Sequence, residues 1–194
     1  FRCNQNCSFC WQNRGWPEPP ADHYFTWIDE FAGAGYKTIT FSGGEPTLHR
    51  SLPSLIDHAA QKHGMSVWIQ TNAIRLSKPR YTEELVRAGL SRVFVSYHSH
   101  VPAVSDAMTR APNTHHRTEI GIETALALGV PVQLNCVVER QNIGRLGEHA
   151  RHIVDRFVKP FPDNPVELVC YSHPCSYYDR DHWLDALVPL DEQK

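Results

Sequence analysis

The chain has 194 residues, with 19 Lys and Arg against 21 Asp and Glu, for a formal charge of −2 with histidine neutral. That balance argues against a DNA or anionic-membrane binder held by bulk electrostatics, and 41% hydrophobic with 21% charged residues excludes disorder and suits one globular domain. No apolar run is long enough for a membrane span and no signal-peptide layout opens the chain, so the expectation is a cytoplasmic protein.

From the N-terminus, Cys3, Cys7 and Cys10 crowd into the first ten residues, and the first cysteine is only the third residue. The abrupt start suggests a single domain, residues 1–194, cut from a longer protein. Helical and strand-like stretches then alternate. A helix is expected over Tyr24 to Ala34 and a strand over Lys37 to Ser42. A helix over Leu52 to Lys62 precedes a strand over Val67 to Thr71, and one over Thr82 to Ala88 precedes a strand over Arg92 to His98. Two further pairs follow: Thr118 to Leu128 with Pro131 to Val138, and Arg145 to Phe157 with Val166 to Tyr171. Gly35, Gly64, Gly89 and Gly129 read as helix exits. This repetition is the rhythm of a parallel α/β fold.

A parallel strand covered on both sides is apolar throughout, whereas these strands alternate. One face carries Ile39, Phe41, Val67, Ile69, Val93, Val95, Val132, Leu134 and Cys136. The other turns polar toward the strand ends, at Ser42, Gln70, Asn72, Ser96, His98 and Asn135. The pattern predicts an incomplete, TIM-like parallel barrel, a partial (β/α)6 fold lacking its first strand, with a polar site at its C-terminal mouth. The alternative is an open sheet with one solvated face.

Cysteines this crowded, in a chain with no secretory features, point to metal or redox chemistry. Three thiolates on one short loop can hold three corners of a cubane iron–sulfur cluster and leave one iron open. A structural zinc site wants four closed ligands, and Cys136, Cys170 and Cys175 lie far downstream; zinc, with a ligand delivered by the fold, and purely structural thiols both remain open.

The Cys3-x3-Cys7-x2-Cys10 spacing, with the aromatic Phe9 just before the last cysteine, resembles the hallmark of the radical S-adenosylmethionine (radical SAM) superfamily. Phe41-Ser42-Gly43-Gly44-Glu45-Pro46-Thr47, one βα unit later, resembles that family's Gly-Gly-Glu segment. Glycines let a backbone approach a ligand closely, so main-chain carbonyls and the Glu45 carboxylate can accept bonds from the methionine ammonium. Thr71-Asn72 resembles the Thr-Asn-Gly of the branch that contains molybdenum-cofactor biosynthesis enzymes and peptide maturases, with Ala73 in place of glycine. In that branch the loop helps hold the methionine carboxylate. Ser96, in Ser96-Tyr97-His98-Ser99 where the branch reads Ser-x-Asp-Gly, and Asn135, followed by Asn142, correspond to ribose contacts.

The resemblance implies a 4Fe–4S cluster on Cys3, Cys7 and Cys10, with S-adenosylmethionine chelating the open iron. Reductive cleavage then gives a 5′-deoxyadenosyl radical that abstracts hydrogen from a peptide or small metabolite, with flavodoxin or ferredoxin as electron donor. The rival is a non-enzymatic zinc or iron–sulfur module, which needs no second cofactor grip and should tolerate Glu45→Ala. Of the twelve histidines, His98 and His100 share a strand face at the barrel mouth, while His58, His63, His149 and His152 are expected on solvated helix faces. Cys170 and Cys175 could contact substrate or an auxiliary cluster, though buried inert thiols are the plainer reading.

Overall fold

The computed structural model describes residues 1–10, 12 and 15–173. Strands β1 (Thr38–Phe41), β2 (Ser66–Thr71), β3 (Leu90–Ser96), β4 (Val132–Val137) and β5 (Leu168–Ser172) pair in parallel, in the same order in space as in sequence. A doubly wound sheet reverses its strand order part-way. Sequential order instead leaves every crossover on one face, as in a barrel, and frees the other face for a site.

Helix α1 (Ala21–Gly33) leads into β1, and helices α2 (Leu52–Asp57), α3 (Pro79–Ala88), α4 (Pro102–Thr109), α5 (His115–Ala127) and α6 (Leu146–Ile153) fill the crossovers. The apolar strand face expected from alternation is the one they cover. Val67, Ile69, Val93, Val95, Val132 and Leu134 are fully buried in one core with Ile28, Leu52, Ile56, Leu85, Ile122, Ile153 and Phe157. Burying each such side chain is worth roughly 1.5–3 kcal/mol.

The element boundaries differ from expectation for local reasons. Helix α1 begins at Ala21 because Pro20, at φ −55°, sits just before it and the helix starts as soon as the proline-rich stretch ends. Helix α4 was not anticipated; its cue is Pro102 at the first helical position, where a missing N–H costs nothing. Helices α2 and α6 each run on into a π turn, at His58–Lys62 and Val154–Val158. All four exit glycines have positive φ. At Gly89 the left-handed cap is also crowded, since a Cβ would lie 2.4 Å from Ala60 Cβ.

His149 corrects the expectation of a solvated histidine. It is 2% exposed and lies on the inner stripe of α6, four residues before Ile153 and eight before Phe157. That spacing marks one helix face, so the apolar partners and not the residue type decide where it points.

Candidate active site

At the C-terminal ends of the strands lies a cavity of about 330 Å³. It gathers the residues expected to hold the cluster and S-adenosylmethionine: Cys3, Cys7, Phe9 and Cys10, then Gly43, Gly44 and Glu45, then Thr71, Asn72, Ser96 and Asn135. Sequence reasoning did not single out Gln5, Gln12 or His173 on the same wall. Ser42 and Gln70 were visible only as members of the polar strand face.

The cysteine loop has no regular secondary structure, so its shape depends on ties to the barrel. Arg2 O accepts Glu45 N–H at 2.8 Å, and Asn72 Nδ2 donates to Asn4 Oδ1 at 2.7 Å. Asn6 N–H and Ser8 N–H donate to Thr109 O and Met108 O at the end of α4, at 2.8 and 2.9 Å. Ser8 Oγ lies 3.2 Å from both Glu139 carboxylate oxygens. Phe9 meets the His98 ring edge-to-face, with centroids 4.7 Å apart. The end of α4 was missed because it acts through main chain, for which a sequence carries no pattern, and Glu139 because its side-chain partner Ser8 lies 131 residues away. Burial pushes the Glu139 carboxyl up, and the Ser8 hydroxyl opposes this.

Glu45 is 4% exposed and holds the first two loops after the sheet together. Its Oε1 accepts from Thr47 N at 3.0 Å, Thr47 Oγ1 at 2.6 Å and Thr71 Oγ1 at 2.7 Å, and Oε2 accepts from Asn72 N at 2.8 Å. Burial raises its pKa, and the bonds from Asn72, Thr47 and Thr71 work the other way, favouring the carboxylate. Thr71 and Asn72 therefore serve one carboxylate, one by side chain and the other by main chain. Glu45 is thus a brace of the loop, with Oε2 the less occupied oxygen for a ligand. Glu45→Ala would disturb the loop in a binding module as well as in an enzyme, so it does not separate the two readings.

The glycines need a similar correction. A Cβ on Gly44 would lie 2.2 Å from Arg2 O, so its close approach is to the segment that leads into Cys3. Gly43, at φ +132°, makes the turn.

On the strand ends, Ser42 Oγ donates to Gln70 Oε1 and Ser172 Oγ to Asn135 Oδ1, both at 3.0 Å. His98 is fixed by Val137 N–H, which donates to its Nδ1 at 3.1 Å. In a neutral ring this places the proton on Nε2. Desolvation, reinforced by His149, pushes its pKa down to about 3, so the ring is neutral near pH 7. Asn142 bonds to His98 O and Val137 O, both at 2.8 Å, and props this corner without lining the cavity. Cys170 on β5 pairs in register with Asn135 of β4 but is not among the cavity residues; Cys175 lies outside the described residues.

A family model described as the Radical SAM superfamily matches residues 1–153. The chain belongs to the radical SAM superfamily. The family's cofactors are a 4Fe–4S cluster and S-adenosylmethionine, and this cavity fits them: three thiol side chains from one short loop share it with backbone turns and polar strand ends. The chain is 30% identical over 202 residues to the mitochondrial GTP 3′,8-cyclase of Arabidopsis thaliana, covering 98% of this chain and 48% of the relative. It is 28% identical over 158 residues to a PqqA peptide cyclase of Bradyrhizobium diazoefficiens, covering 79% and 41%. It thus spans less than half of either protein. Among solved structures, Streptococcus suis SuiB bound to S-adenosylmethionine superposes with a TM-score of 0.72 at 17% identity, over 90% of this chain and 39% of that one. The radical SAM fold expected from sequence, an incomplete parallel barrel, is the one found. No described helix is long and apolar enough to cross a membrane.

Proposed function

We propose that this radical SAM domain cleaves S-adenosylmethionine reductively and turns the resulting radical on a peptide or small metabolite. Cys3, Cys7 and Cys10 would hold three irons of the cluster and leave the fourth for the amino acid end of S-adenosylmethionine. When bound, this pair supplies one-electron cleavage of the sulfonium and a primary carbon radical able to abstract hydrogen. The observation that carries the reading is one cavity walled by the cysteine loop on one side and, on the other, by the Gly43–Gly44–Glu45 turn with the Thr71–Asn72 loop.

The chain's own residues position and shield. The Gly43 and Gly44 carbonyls and Glu45 Oε2 offer acceptors to an ammonium, and Ser96 and Asn135 offer polar contacts to a ribose. Neutral His98 adds bulk and an N–H without charge, and Phe9 covers the loop side. The substrate classes are those in the names of the relatives, a nucleotide and a peptide. The low net charge favours neither DNA nor a membrane surface, and reduced thiols suit the cytoplasm, where flavodoxin or ferredoxin could deliver the electron.

Anaerobic reconstitution followed by electron paramagnetic resonance tests the binding half of the reading. The expected result is a reduced-cluster signal that changes when S-adenosylmethionine is added and is lost in Cys3→Ala, Cys7→Ala and Cys10→Ala. Stoichiometric zinc in place of iron, or a signal indifferent to S-adenosylmethionine, would contradict it.

A further inference from the structure

On the helix-covered side of the sheet, well separated in sequence from the cysteine loop, three side chains converge between α1 and α2. Asp29 projects from α1, and His58 and His63 bracket the π turn that continues α2. Residues five apart on an α-helix point well away from each other, because a turn takes only 3.6 residues. The wider i→i+5 turn brings them back to one side. Here the two imidazole centroids are 5.3 Å apart, and both Nε2 atoms reach the same oxygen, Asp29 Oδ1, at 2.6 and 2.5 Å. The two histidines are half-buried and Asp29 is exposed.

A helix-to-helix staple needs one such bond. Two imidazole nitrogens and a carboxylate oxygen converging on one point instead form the donor set of a three-ligand site for a borderline divalent ion. We propose that Asp29, His58 and His63 bind a divalent transition-metal ion of the Zn²⁺ class, at a site separate from the cysteine loop. Lys62, in the same turn, completes the argument. Its Nζ lies 3.0 and 3.3 Å from the two Asp29 oxygens, where it holds the place of a cation. The metal and this ammonium compete for one carboxylate.

Binding asks little of the frame. Bond lengths near 2.0–2.1 Å put tetrahedral ligands about 3.3 Å apart, so Asp29 has to withdraw by less than about 1 Å. Its side chain is 45% exposed and that of Lys62 is 54% exposed, so both have room to move. Each neutral imidazole presents its Nε2 lone pair by carrying its proton on Nδ1. The bound ion would clamp α1, the helix that follows the cysteine loop, onto α2.

The test is equilibrium dialysis of the cluster-loaded full-length protein against Zn²⁺, with bound zinc and retained iron counted together. One equivalent of zinc is expected at about micromolar affinity or tighter, with the iron unchanged. His58→Ala and His63→Ala should each weaken binding at least about tenfold. Lys62→Met should tighten it, because the competing cation is gone; this exposed substitution leaves the fold intact. Absence of saturable zinc binding, or affinity indifferent to His58 and His63, would overturn the site. Unchanged or weaker binding in Lys62→Met would do so as well and leave Asp29 as a helix staple. Because iron is counted separately, failure of the cluster reading leaves this result standing.

Discussion

Glu45 and Gly44 show how single residues couple the proposed cofactor grip to the fold. Removing the Glu45 carboxylate orphans four donors in a buried loop, and each such group costs about 1–3 kcal/mol. Glu45→Ala is therefore expected to lower stability by at least about 3 kcal/mol, measured by chemical denaturation of the metal-free protein. Glu45→Gln keeps the shape and one acceptor oxygen. It should fold, yet bind S-adenosylmethionine on the order of tenfold more weakly in calorimetric titration, because an amide cannot accept on both sides. Wild-type affinity in Glu45→Gln would show that the ligand does not depend on this carboxylate. Gly44→Ala drives a methyl into the Arg2 carbonyl. It should cost about 1–3 kcal/mol and reduce iron retained after reconstitution, since Arg2 leads into Cys3.

Among the elements, α5 sets the position of the Thr71–Asn72 loop. Gly121 on this helix faces the Ala73 main chain so closely that a Cβ would lie 2.1 Å from Ala73 O, and Thr118 Oγ1 donates to Asn72 O at 2.9 Å. Gly121→Ala is expected to lower the denaturation midpoint, by about 1–3 kcal/mol of stability, and to weaken S-adenosylmethionine binding through the displaced loop. Unchanged affinity with lowered stability would separate the helix from the site. The strand pattern made this architecture legible. Alternation at Val67 to Ile69 and Val93 to Val95 identified the helix-covered face, and Gln70, Ser96 and Asn135 the opposite one. Helix α4 was not legible, because eight residues of mixed polarity form no sustained stripe; only Pro102 announces it. Its carbonyls at Met108 and Thr109 anchor the cysteine loop through main chain, which no side-chain pattern encodes.

For the molecule as a whole, buried neutral histidines make stability depend on pH. Desolvation, with His100, His152 and His115 nearby, pushes His149 down to about 4 from an ordinary value near 6.5. Between those values the unfolded chain binds the proton and the folded one does not. Stability is therefore complete above about pH 6.5 and falls as the solution is acidified toward 4. His149→Leu should flatten this dependence between pH 5.5 and 7 in urea denaturation; an unchanged slope would mean that other groups carry it. The cavity residues were legible in two short motifs because the proposed chemistry fixes residue types there: thiols at Cys3, Cys7 and Cys10, and a turn with an acid at Gly43–Gly44–Glu45. His149 and Glu139 act through packing and through partners distant in sequence, and they needed the fold to be seen.

The central claim is radical chemistry at the cysteine loop. Its most direct test is 5′-deoxyadenosine, quantified after anaerobic reconstitution of the protein, reduction with dithionite and addition of S-adenosylmethionine, with Cys7→Ala alongside. The account predicts product in the parent protein and none above background in the variant. An intact, reduced cluster that yields no 5′-deoxyadenosine with several reductants, or product that persists in Cys7→Ala, would contradict it.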